Sequence, residues 1–90
     1  GVGQGLNDLA RATALLYPSP AVNGFWLELN TPLEQGQLVM LDAMGREVSR
    51  SRWSGQRQYI ERQGEATGSY RCVLLDVSGV RHWSSAVMFE

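Results

Sequence analysis

The chain's stock of side chains that exchange protons near neutral pH is one histidine, His82, and one cysteine, Cys72. Nucleophilic hydrolysis needs a base within hydrogen-bond reach, and hydrolysis by two carboxylates needs a set separation. A Ser-His-Asp arrangement would have to use His82, and no serine stands in a Gly-x-Ser-x-Gly turn. Cys72 lies in the largely apolar run 70–75, where a free thiol behaves as a small hydrophobe, and His82 falls on a different segment. A metal site would have to be built from carboxylates, and Asp42 and Asp76 already have a structural use in tight turns. The expectation is a protein with no catalytic residues, no metal ligands and no cofactor. A lone cysteine also excludes an intrachain disulfide.

Three tryptophans, Trp26, Trp53 and Trp83, offer binding chemistry of another kind. On an exposed sheet face they would stack on sugar rings; in a small domain they would close the ends of the core. The first arrangement makes a carbohydrate-binding or adhesive module, the second a scaffold. The eight cations are all arginine and are scattered among nine acids, for a formal net charge of −1. That balance supplies neither the field nor the groove that nucleic acid requires, and no nucleic-acid partner is expected. The opening Gly-Val-Gly-Gln-Gly lacks the preceding strand and the spacing of a dinucleotide-binding loop.

The elements that must position these residues are short strands. At 43% hydrophobic and 19% charged, 90 residues suffice for one domain with one core and no deep cleft. Residues 1–12, with three glycines in the first five, read as a flexible linker, and 13–90 as the domain. The period-two pattern places strands at 13–17, 25–30, 37–42, 46–54, 57–61, 69–76 and 80–89. Pro18 and Pro20 stop the first strand. Phe25, Leu27 and Leu29 share one face of the second, and the unbroken run Leu38 to Leu41 suits a strand buried on both sides. Residues 31–36 read as a loop built on Pro32 and Gly36, and Gly55 as a strand break.

Asp42-Ala43-Met44-Gly45 and Asp76-Val77-Ser78-Gly79 are matching turns, with Asp bonding the backbone ahead and Gly taking the positive φ. On the last strand Trp83, Val87 and Phe89 oppose His82, Ala86 and Met88. About seven short strands at this spacing predict an all-β fold, an immunoglobulin-like antiparallel β-sandwich. Its edge strands predict a homodimer by edge pairing or strand exchange.

Several motifs occur in an order that resembles a known family. Leu16-Tyr17-Pro18-Ser19-Pro20-Ala21 looks like the Tyr-Pro-Asn-Pro-Ala opening of the C-terminal sorting domain, type A, of the type IX (Por) secretion system of Bacteroidetes-type bacteria. Phe25-Trp26-Leu27-Glu28-Leu29 fits its first amphipathic strand. The stretch from Leu38 to Val48 is similar to its apolar strand followed by Asp-x-x-Gly-Arg-x-Val. Gly68-Ser69-Tyr70-Arg71-Cys72-Val73-Leu74 is similar to its Gly-x-Tyr strand, and Ala86-Val87-Met88-Phe89 to its final strand. The likeness covers 14–90. Ser19 stands where the family has Asn, and the tail is Phe89-Glu90 in place of a basic ending.

The resemblance implies an immunoglobulin-like, non-enzymatic sorting signal. Such a domain rides behind a covalently linked N-terminal passenger and is carried through the periplasm and outer membrane by a shuttle protein and the type IX translocon. A surface sortase then usually removes it by a cut before Tyr17, leaving the passenger secreted or at the cell surface. On this basis Ala86, Val87, Met88, Phe89 and Glu90 would be read by strand addition, with Gly45, Arg46, Gly68 and Tyr70 as further recognition points. Tyr17, Pro18, Pro20, Asp42, Asp76 and Gly79 would hold turns.

Overall fold

The computed structural model describes residues 14–90, so the linker expected over 1–12 and the strand start at Thr13 lie outside the described residues. Five strands follow in order: β1 (Ala14–Tyr17), β2 (Gly24–Leu41), β3 (Glu47–Glu61), β4 (Gly68–Asp76) and β5 (Arg81–Phe89). All ladders between them are antiparallel. The sheet order is β1-β2-β4-β5, with β3 also paired to β2.

This arrangement corrects the expected two-sheet, seven-stranded immunoglobulin-like sandwich, and with it the fold that the family resemblance implied. There is one five-stranded sheet, curled into a half-barrel around its core. The difference lies in two fusions. The segments expected at 25–30 and 37–42 are the ends of a single 18-residue β2, and those at 46–54 and 57–61 are the ends of a 15-residue β3.

Pro32 and Gly55 do not break these strands because they stand where the β2–β3 register shifts, between Glu28 and Leu33 and between Leu33 and Gly36. At such irregularities a strand bends and a ladder bond is not required of every residue. Gly55 has φ +96, which other residues adopt only under strain. Gly36 is needed for closeness: a Cβ there would lie 2.6 Å from the Leu75 carbonyl oxygen on β4.

The bends let each long strand serve two neighbourhoods. The first part of β2 lies between β1 and the end of β3; its last part lies between the start of β3 and β4. The concave side carries the core. Phe25, Leu27 and Leu29 come from one end of β2, Leu38 and Met40 from the other, and Trp53, Ile60, Cys72, Leu74, Val87 and Phe89 from the remaining strands. Trp53 is fully buried, and its indole N–H donates to the Gly55 carbonyl at 2.8 Å, so the bend in β3 satisfies the one polar atom of that side chain. The Phe89 ring packs 6.3 Å from Phe25 and edge-on, at 5.6 Å, to Tyr70.

Candidate functional site

The feature best built for recognition is the outer side of β5. β4 bonds its inner side along the whole strand. Among the described residues, the outer side is engaged at its far end alone, by a parallel bridge between Phe89 and Ala21. The Ala21 N–H donates to the Met88 carbonyl at 2.8 Å, and the Glu90 N–H donates to the Ala21 carbonyl at 2.9 Å. Backbone groups alternate sides along a strand, so those of Ser84 and Ala86 face outward with those of Met88 and Glu90. No strand among the described residues covers that stretch. The Ala86 carbonyl accepts a 3.2 Å bond from the Ser85 hydroxyl, which an incoming strand would replace.

Arg62 fastens the end of this strand, and sequence reasoning did not single it out. Its Nη1 donates to the carbonyls of Val22 and Glu90, each at 2.7 Å, and its Nε donates to that of Glu65 at 2.7 Å. The guanidinium carbon lies 4.7 Å from the centre of the Phe89 ring. The three carbonyls come from segments up to 40 positions away, so nothing local to Arg62 announces the role.

The structure divides the recognition residues expected from sequence. Val87 and Phe89 point into the core; Ala86, Met88 and Glu90 face out. Gly68 pairs with Phe89, and Tyr70 pairs with Val87 and donates its hydroxyl to the Ala66 carbonyl at 2.7 Å. The segment holding Pro18 and Pro20 leads to Ala21 and so reaches the same place. Tyr17 ends β1, its hydroxyl donating to Glu28 at 3.2 Å. Gly45 and Arg46 lie in the turn beyond Leu41, whose row continues through Arg71 to Ala86. Asp76 and Gly79 sit at the opposite end of β4 and β5.

Both turns form by the mechanism expected from their sequences. One Asp42 carboxylate oxygen accepts the N–H groups of Met44 and Arg46, each at 2.9 Å, while the other meets Arg46 Nε at 3.0 Å. Asp76 accepts the N–H groups of Ser78 and Val80 at 2.9 Å and lies 2.9 Å from His82 Nε2. The backbone N–H of Arg46 is the main cause holding the Asp42 carboxyl below its ordinary value of 3.8, and that of Val80, followed by His82, does the same for Asp76. Acids lowered in the folded state contribute stability above their unfolded pKa and lose it as pH falls through the folded one. The melting temperature should therefore fall below about pH 4. Replacing both by Asn should lower it at pH 6 and flatten the acid limb; an unchanged acid limb in calorimetric scans would refute this assignment.

Cys72 is fully buried, with its sulfur 3.8 Å from that of Met40, and burial pushes its thiol up to about 12. It is a core side chain held as a thiol. Among the described residues no group of three or more His, Cys, Asp or Glu gathers to hold a metal. The three tryptophans do not share an exposed face. Trp53 is core, Trp83 packs against the core, and Trp26 lies edge-on to Tyr59 at 5.2 Å under the Arg57 guanidinium at 4.7 Å. An array of bare indoles for sugar stacking is absent among the described residues.

Comparison with family models, with curated proteins and with solved structures gives no match to this chain.

Proposed function

We propose that the domain is a non-enzymatic sorting signal, read through the outer edge of its last strand by the export machinery of a type IX secretion system. The observation that carries this reading is the edge of β5: pinned at its end by Ala21 and Arg62, and without a strand partner along 81–87 among the described residues. Such an edge suits strand addition, in which backbone bonds give affinity and alternate side chains give selectivity. The ordered motifs from Tyr17 to Phe89, which resemble those of the sorting-domain family, favour this class of reader. In this reading a shuttle protein, the translocon and a sortase act on the domain, and a covalently linked passenger is the cargo, delivered to the cell surface or beyond.

Proline at Ala86 tests the edge. It removes an outward N–H and leaves the inner ladder to β4 intact, as edge strands tolerate. The expected result is a folded domain, with a melting temperature within roughly 5 °C of the parent, that no longer exports a fused reporter. Val87→Pro, which breaks the inner ladder, should unfold the domain and serves as the contrast. Normal surface delivery by the Ala86→Pro protein would exclude recognition through this edge. The same edge is the site we propose for homodimerisation of the isolated domain, which Ala86→Pro should also suppress in sedimentation at high concentration.

A further inference from the structure

The convex face of the sheet carries a second surface, separate from the β5 edge and independent of the sorting reading. Leu38, Met40, Cys72 and Leu74 point into the core, so their neighbours on the same strands point the other way. On that outer side the register sets Arg52, Gln37, Leu75 and Arg81 in one row across four strands. The next row is Arg50, Val39, Val73 and Ser84, and Arg71 stands in the row beyond, between Leu41 and Ala86. Four of the seven described arginines thus lie on one face.

The face is basic at its flanks and apolar in the middle. Val39 is only 5% exposed, yet it stands outside the core cluster, because its burial is on this opposite side. Val73 and Leu75 beside it are half-buried. Of the four arginines only Arg50 has an ion pair among the described residues, with Glu47 at 2.8 Å; it also donates to Gln37. Arg52, Arg71 and Arg81 have none. Arg50 and Arg52 also line an open cleft of about 550 Å³, which continues this face toward the exposed Val77. Glu34 and Asp76 lie on the cleft, but Asp76 is engaged by its own turn and His82.

We propose that this face docks an acidic amphipathic helix of a partner protein, its apolar stripe on the half-buried Val73 and Leu75 above Val39 and its carboxylates on the arginines at either side. The dimensions agree. Three strand spacings separate Arg52 from Arg81, about 14 Å, and a helix with its side chains is about 10–12 Å across. Arginine forks pair well with carboxylates, and their long stems extend the apolar floor. A polyanion without apolar groups would leave the valine and leucine centre unused, so charge and hydropathy together select a peptide over a glycan or nucleic acid.

A fluorescein-labelled 18-residue helical peptide with Glu on both sides of a Leu stripe is the probe, followed by anisotropy against the intact chain. Binding should weaken roughly tenfold between 50 and 300 mM salt, as contacts between exposed charges are screened. The Arg52→Glu, Arg81→Glu double variant should weaken it at least tenfold; Arg57→Glu, toward the far end of β3 over Trp26, should leave it unchanged. Amide shifts in NMR should map to Val39, Val73 and Leu75. Equal binding of a peptide with Lys in place of Glu would overturn the proposal. So would absence of binding, equal loss with Arg57→Glu, or tighter binding of heparin or of vesicles of phosphatidylglycerol at the same residues.

Discussion

Trp53→Ala should abolish most of the domain's stability. The side chain is fully buried in the middle of β3, opposite Gly36 where the β2–β3 register shifts, and truncating a buried Trp costs about 3–5 kcal/mol. Small domains are stable by roughly 5–15 kcal/mol in all, so the loss is a large share of the total. Thermal melts followed by circular dichroism should show a midpoint at least about 12 °C lower. Trp53→Phe separates two contributions. It keeps most of the apolar volume but leaves the Gly55 carbonyl without its indole donor, and should cost about 1–2 kcal/mol. A Trp53→Ala protein melting within a few degrees of the parent would mean that the core does not depend on this bend.

Arg62→Ala should loosen the end of the last strand before it lowers global stability. The side chain holds the carbonyls of Val22, Glu65 and Glu90 and lies over Phe89. Charge-assisted bonds of this kind contribute more than neutral ones, and losing the set should cost about 2 kcal/mol after solvent replaces part of it. The amide of Glu90, which bonds to Ala21, should exchange roughly thirtyfold faster, the ratio that 2 kcal/mol represents. Lysine restores the charge but not the fork, so Arg62→Lys should recover only part of the protection. Unchanged exchange at Glu90 would show that the bridge to Ala21 holds the strand unaided.

The contrast between Trp53 and Arg62 indicates what the sequence discloses. Turn chemistry is local, so Asp42 to Gly45 and Asp76 to Gly79 are legible in four residues each. Alternation is nearly as local: Phe25, Leu27 and Leu29 share the core face, as do Trp83, Val87 and Phe89 in their orientation. The fold class beyond all-β was not legible. Pro32, Gly36 and Gly55 have the composition of loops, and only the pairing of β2 with β3 reveals that the ladder shifts register around them and continues. A break in propensity is a property of residues, whereas a break in a strand is a property of its partners.

The site divides in the same way. The edge character of the last strand follows from its place in the sheet order, and the sequence suggests it through family likeness alone. The clamp from Arg62 links positions 22, 62, 65 and 90, which no period or spacing connects. The arginine face was hidden by its own chemistry: Arg50, Arg52, Arg71 and Arg81 look scattered along the chain and become neighbours only when three ladders set them in register.

The two long strands also govern how the domain comes apart. A sandwich joined by loops has a seam, and one layer can fray while the other persists. Here β2 and β3 run unbroken through both neighbourhoods, and each contributes core side chains at both ends. Opening either half pulls on backbone that the other half is holding. Apart from fraying at strand ends such as that of β5, partial unfolding has no natural boundary to stop at, and the two halves yield together.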